Sequence, residues 1–247
     1  MILTKKMVRK RPMITKTKRQ MVSREVKIPR KVHFWGVSPA PGKHNAVDSI
    51  PMLTALRDYL KIGDKEREVT RILNNKFVKV DGKIVKERRY PIGFMDVVSI
   101  EGQDRDYRVL YDSKGRLTLT PDMEKNAGTK LAKVEDKKTT KGGKIQLVLH
   151  DGQNIITEDK NIKSGDVLVL KIPEKQILQT LKFQVGNKAF LTGGSHVGKV
   201  ATVKKIEIKE SSHANMIHFE EGFATVTDYV FIIGTPKFTF EFNEVAQ

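Results

Sequence analysis

From residue 102 onward, turn signals interrupt the sequence about every 8–12 residues, and this spacing limits the fold more than any other feature. The runs between the turns are short and rich in Val, Ile, Leu, Thr, Tyr and Phe. Residues 107–111 lead to a turn at 112–115 and return over 116–120. A short helix is expected at 121–126. Residues 130–134, 145–149, 155–157 and 167–172 read as further strands, separated by Gly-containing turns. After 182–184 the pattern resumes with 185–192, a glycine-rich turn at 193–198, a strand over 199–208, and strands at 216–219, 223–226, 229–233 and 238–242. Such spacing predicts small barrels or sandwiches: a central β domain over 101–181 and a five- or six-stranded unit over 182–247 that suits an SH3-like barrel.

Helical periodicity is confined to residues 49–74. Leu53, Leu56 and Leu60, with Met52, Ala55 and Tyr59, form one apolar face. Ser49 or Asp48 is expected as the helix cap, with Pro51 in the first turn. Gly63 ends this helix and Asp64 caps a second, whose core face is Val69, Ile72 and Leu73. Residues 77–80 then alternate as a strand, and Asp81-Gly82 is a strong hairpin signal because glycine supplies the positive φ a tight turn requires. Residues 84–85 return, and 96–100 form a closing strand. The whole is an α+β multidomain chain, mostly β, with a small α/β domain over 45–100.

Charge points to the partner. The chain carries a net +17 over 247 residues. Residues 1–31 hold twelve Lys and Arg against the single Glu25, a net +11. Hydrophobic residues there are sparse, so the arm is expected to be disordered alone and to order on phosphates; a solubilising tail is the plainer alternative. Nucleic acid is the commonest polyanion, since each Lys or Arg contact releases a counterion. Candidate RNA ligands in the arm are Lys5, Lys6, Arg9, Lys10, Arg11, Lys16, Lys18 and Arg19. Two prolines and a glycine stiffen 38–44, placing Lys43 and His44 at a loop apex suited to phosphate. Trp35 and Phe34 either stack on a base or dock the arm on the first domain. Along 49–100, Arg57, Lys65, Arg67, Arg71, Lys76, Arg88 and Arg89 recur as a cationic side. For Arg67 and Arg71, a solvated helix face with local Glu pairs is the alternative.

Other chemistries find little support. With no cysteine there is no disulfide, thiol nucleophile or thiolate zinc site. No apolar run of about 18 residues and no secretory signal core are present, so a cytoplasmic protein is expected. No amphipathic basic helix or lipidation signal supports a membrane surface. Gly193 to Lys199 fits the start of a phosphate-binding loop, but Val200 stands where Ser or Thr would bind magnesium, and the following residues alternate as a strand. The six histidines show no i, i+4 pair, and no clustered carboxylates are evident; no metal and no cofactor are expected. Asp96 reads as a turn or cap residue more readily than as a general base.

The order of motifs resembles the four-e protein family of the archaeal and eukaryotic small ribosomal subunit. The resemblance is carried by the basic arm, Pro41-Gly42-Lys43-His44, Ser49-Ile50-Pro51-Met52-Leu53 with Leu56-Arg57, Val80-Asp81-Gly82-Lys83, Val185-Gly186-Asn187 with Thr192-Gly193-Gly194, and above all by Tyr90-Pro91 and Gly93-Phe94-Met95-Asp96-Val97-Val98-Ser99-Ile100. It implies a basic arm and Pro-rich segment over 1–44, an RNA-binding domain of the small-subunit protein four type over 45–100, a family-specific β domain over 101–181, and a KOW element of SH3-like type within 182–247. It implies an archaeal-like, ribosome-bound structural protein that contacts small-subunit ribosomal RNA and neighbouring ribosomal proteins, with no small-molecule substrate and no catalysis. Lys188, His196 and Lys199 become RNA candidates on the KOW part. Two other classes stay open: an RNA-modifying enzyme that borrows the same RNA-binding domain, and a free regulatory factor.

Overall fold

The computed structural model describes residues 16–103, 105–123, 126, 128–140, 142–209, 214–236 and 238–242. Lys5, Lys6, Arg9, Lys10, Arg11 and His213 lie outside them, as does part of the helix expected over 121–126.

Three antiparallel sheets organise the chain. The first runs in the order Lys83–Ile84, Val78–Val80, Val97–Ile100, Tyr107–Tyr111 and Leu117–Pro121. Its tightest turn is Asp81-Gly82, where both residues take positive φ (49° and 73°). That is the twist-matched two-residue hairpin the sequence signals. Glycine is required twice over here, because a Cβ on Gly82 would lie 2.8 Å from the ring of Pro173. The sheet crosses the boundary expected at residue 100. Its last two strands come from 107–121, which the turn spacing assigned to the central domain. The physical reason is the pairing of Val97–Val98 with Arg108–Tyr107, which extends the sheet without a break.

The helical stretch differs from expectation at its start. Ser49–Pro51 is extended and pairs with Pro91–Gly93, and Ser49 is not a cap. The helix begins at Met52 and widens within a turn, so that Leu60 N–H bonds Ala55 C=O at 3.0 Å. Its first amides donate to Tyr90 and Arg88 carbonyls, at 2.9 and 2.8 Å. Those partners satisfy the orphan donors a cap would otherwise serve. The second helix is Glu66–Asn74. It is closed by Glu68, whose carboxylate accepts the Asp64 and Lys65 amides at 2.9 and 3.1 Å. Asp64 therefore contributes its backbone, not its side chain.

The central sheet is built on the long strand Thr129–Thr139. The first half of that strand pairs with Val167–Lys171 and the second with Ile145–Leu149, with Asn154–Thr157 and Gln176–Leu181 at the edges. Alternation splits its side chains between two cores. Leu131, Val167, Val169 and Leu181 join the main core, while Ala132, Val134, Leu168 and Leu170 close a second one with Ile145, Leu147, Leu149 and Ile162. The strand 167–170 is thus apolar at every position because both its faces are covered. The third sheet has six strands in the order Ala224–Val226, Met216–Phe219, Val200–Glu207, Lys188–Leu191, Val230–Thr235 and Phe238–Thr239. Val200–Glu207 follows directly on the Gly193–Lys199 loop, so that loop feeds a strand and no helix dipole. Phe94 joins the first and third sheets: its ring lies 5.3 Å from Tyr111, 5.6 Å from Phe190 and 5.0 Å from Phe231.

Over its described residues, 16–31, the arm is tied to the body, contrary to expectation. Lys16–Lys18 pairs with Trp35–Val37. Val26 enters the main core and bridges Leu117. The Lys27 amide donates to the Tyr59 hydroxyl at 2.6 Å. Few apolar residues suffice because the cations themselves tie the segment down. Arg30 donates to the carbonyls of Gln20, Val22 and Ser23, and Arg19, only 3% exposed, donates to that of Pro29 at 2.6 Å.

Candidate nucleic-acid interface

Several cations expected to meet phosphate are instead interior. Lys43 and His44 do not sit at an exposed apex. They belong to a buried ion cluster centred on Lys130, whose ammonium donates to Asp81 (2.9 Å), Asp96 (2.5 Å) and Asp151 (2.9 Å). Lys43 bonds Asp81 at 2.5 Å and His44 bonds Asp96 at 2.8 Å. Asp96 also accepts the Gly93 amide at 3.1 Å. It is therefore the turn residue the sequence suggests, and a buried anion as well. Burial works to raise the Asp96 carboxyl, but Lys130, His44 and Lys43 outweigh it and hold it well below the usual carboxylate range. Burial would likewise lower the Lys130 ammonium, yet the surrounding aspartates keep it above its ordinary value. The three carboxylates, far apart in the chain, have ligand atoms within 4.8 Å of one another, and the Lys130 ammonium bonds all three.

This cluster locks the Pro-rich segment, the first sheet and the central sheet together. Gly93 is part of it through lack of a side chain, since a Cβ there would overlap the His44 ring. Gly93→Ala is expected to displace His44 from Asp96 and lower stability by about 1–3 kcal/mol. An unchanged thermal midpoint would refute that packing argument.

Arg19 and Arg89, also expected to meet phosphate, are buried. Arg89 is 8% exposed and its guanidinium donates to the Ser38 carbonyl at 2.9 Å and to that of Pro39 at 3.4 Å. Both arginines hold chain segments in place and offer no face to a phosphate. Phe34 and Trp35 do not dock the arm: they are 64% and 54% exposed and meet each other edge to face at 4.8 Å. Lys18 lies 5.8 Å over the Phe34 ring, with Lys16 exposed on the same strand.

The helix Glu66–Asn74 does present cations. Arg67 and Arg71 are exposed one turn apart, and with Arg88, Glu66, Thr70 and Asn74 they line a shallow recess of about 620 Å³. The local acids are engaged elsewhere, so neither arginine has the Glu partner its neighbours in sequence could have supplied. Glu66 pairs with Arg88, while Glu68 holds two main-chain amides and its carboxyl is lowered chiefly by the bond from the Lys65 amide. Among the described residues, no acid lies within ion-pair distance of Arg67 or Arg71. Lys65 is exposed just before the helix, and Lys76 after it in a left-handed turn (φ 65°). Arg57 is half-buried against Asp58 at 2.8 Å.

On the third sheet, Lys188 and Lys199 are exposed at opposite ends of the Lys188–Leu191 strand. His196 stacks on Phe223 at 4.1 Å, which fixes its ring at the loop.

A further basic surface escaped the sequence reading. Residues 24–30 run beside the strand Leu117–Pro121, and the cleft there is lined by Arg24, Lys27, Arg30, Lys61, Arg105, Lys114 and Arg116, with Asp58 as its one acid. Four segments, 24–30, 58–61, 105 and 114–121, supply it, and a lone Lys or Arg in a turn carries no local signal of such company.

A rigid, β-rich body with unpaired cations on several faces belongs to the class of proteins whose surfaces attract polyanions. Comparison with known proteins narrows this. The model of the ribosomal family S4e matches residues 103–177. Small ribosomal subunit protein eS4 of Thermoplasma volcanium is 55% identical over 92% of this chain and 96% of its own length. The same-named protein of Picrophilus torridus is 55% identical over 94% and 98%. The crystal structure of the 30S ribosomal protein S4e of Thermoplasma acidophilum superposes with a TM-score of 0.71 at 49% identity, covering 78% of this chain and 99% of that one. The chain belongs to the S4e family of ribosomal proteins.

Proposed function

We propose that this chain is a structural constituent of the small ribosomal subunit that binds its ribosomal RNA and performs no catalysis. The observation that carries the reading is the exposed pair Arg67 and Arg71, left without acid partners on a helix whose own glutamates are engaged, in a chain of a ribosomal family. Residues 45–100, continued by the strands to 121, act as the RNA-binding domain of the protein-four type. Residues 182–247, with their six-stranded sheet, act as the KOW-like unit, with Lys188, His196 and Lys199 facing RNA. The segment 1–18, with Lys5, Lys6, Arg9, Lys10, Arg11, Lys16 and Lys18, threads among phosphates, and neighbouring ribosomal proteins complete its surroundings in the cytoplasm.

Replacing Arg67 and Arg71 together by Ala is expected to weaken binding to a small-subunit rRNA transcript about tenfold and to flatten the salt dependence by roughly one to two units of slope. Identical affinity and slope would remove the helix from the interface. Co-sedimentation with small subunits through a moderate salt wash tests the assignment as a whole: a structural constituent stays, a free factor washes off.

A further inference from the structure

We infer that the cleft between residues 24–30 and the strand Leu117–Pro121 is a second RNA site, one that grips the sugar–phosphate backbone. This rests on the reading of the chain as a ribosomal RNA-binding protein, and adds a surface that neither the helix 66–74 nor the third sheet shares.

The cleft encloses about 1390 Å³ and has seven cations against one acid on its walls. The acid is already neutralised: Asp58 pairs with Arg57 at 2.8 Å and lies 3.9 Å from Arg19. The cations are not. Arg24, Lys27, Lys61, Arg105, Lys114 and Arg116 are exposed, and among the described residues none has a carboxylate within ion-pair distance. Arg30 keeps its charge while three main-chain carbonyls hold its guanidinium still.

The walls are rigid, which distinguishes them from a loose basic tail. Residues 24–30 are tied to the sheet by the Leu117 amide, which donates to the Glu25 carbonyl at 2.7 Å, and by the Val26–Leu117 bridge. The Lys27 amide is tied to Tyr59. Like charges held together in this way repel one another, and a bound polyanion relieves that repulsion without the entropic penalty of ordering the site.

Size and lining decide the class of ligand. The volume exceeds the usual ~300–1,000 Å³ of small-molecule pockets, and seven cations from residues 24–30, 61, 105 and 114–116 line it. That suits a polymer with regularly spaced anions. Tyr59 is the one aromatic residue on the walls, and its hydroxyl is already engaged. Base stacking therefore has little to work with, whereas the exposed Lys and Arg side chains are backbone-contacting groups. An acidic polypeptide is the rival ligand, and the test separates the two.

The test uses the full chain with Arg105, Lys114 and Arg116 replaced together by Ala; all three side chains are exposed, and none makes a described hydrogen bond. Binding to a small-subunit rRNA transcript is followed by fluorescence anisotropy over a salt series. The expected result is a loss of about tenfold to a hundredfold near physiological salt and a slope flatter by about two to three units. A variant carrying Arg105→Lys, Lys114→Arg and Arg116→Lys keeps the charges and is expected to bind as the parent does. If the Ala variant keeps the parent's affinity and slope while the Arg67/Arg71 variant loses them, the cleft assignment is overturned and the proposed function stands. If RNA binding is unchanged but a polyglutamate probe is lost, the cleft serves an acidic protein segment and the RNA assignment is likewise overturned. If the parent chain itself binds no transcript, the proposed function fails and the cleft assignment fails with it.

Discussion

Lys130→Met is expected to destabilise the protein by about 3–5 kcal/mol, because it removes the positive centre from three buried carboxylates. The methionine matches the lysine stem in length, so packing is largely kept and the loss is electrostatic. The three anions do not suffer equally. Asp81 retains Lys43 at 2.5 Å. Asp96 retains His44 at 2.8 Å and the Gly93 amide. Asp151 keeps the main-chain and side-chain amides of Gln153, at 3.1 and 2.6 Å, and no cation within ion-pair distance among the described residues. It becomes the orphan. Adding Asp151→Asn to Lys130→Met should therefore restore part of the loss, since it removes the charge that no longer has a counterion. Urea unfolding of the parent, the single variant and the double variant measures both effects. A loss below about 1 kcal/mol for Lys130→Met, or no recovery in the double variant, would mean the cluster is solvated enough to tolerate an unbalanced charge.

The same cluster shows what the sequence could and could not reveal. Hairpins and strands were legible because their signals are local. Asp81-Gly82 between two strands favours a two-residue turn with positive φ, and Val78-Lys79-Val80 alternates in burial as it does in chemistry. The helix 66–74 was legible from Val69 and Leu73, both fully buried. Charge pairing is different. Lys130 is separated from Asp81 by 49 residues, from Asp96 by 34 and from Asp151 by 21, and nothing in the flanking sequence of any of them announces the others. Lys43 and His44 looked like loop cations for that reason. Arg19 and Arg89 misled in the same way: their partners are carbonyls, and a carbonyl is present at every residue. The cationic cleft could not be read because its walls come from four separate segments. The exposed Phe34 and Trp35 are the reverse case, apolar residues that the main core leaves outside.

Acidification should weaken the fold first through His150. This residue is half-buried, accepts the Lys133 amide on Nδ1 at 3.2 Å and donates from Nε2 to the Phe94 carbonyl at 3.2 Å, an arrangement that fixes the neutral ring. Its pKa is pushed down from 6.5 to about 4, chiefly by burial; Asp151 and the Phe94 carbonyl pull it up, while Lys130 and His44 add to the depression. The unfolded chain takes up a proton below about pH 6.5, and the folded chain does not until about 4. In between, the unfolded state holds more protons, so stability falls with falling pH by about 3 kcal/mol across the window. Glu25 acts with the opposite sign. Burial and Asp48 raise it to about 7, so the folded state gains its proton first and stability rises as pH falls from 7 towards 4.5. Being only half-buried, it is the smaller effect after solvent screening. Below about pH 4, protonation of Asp96 and Asp151, both held low by Lys130, removes a further share. His150→Gln keeps a donor and an acceptor but cannot titrate. Its urea midpoint should therefore change little between pH 6.5 and 4.5, or rise slightly through Glu25, while the parent's falls. Parallel pH profiles for the two proteins would transfer the acid sensitivity to another group.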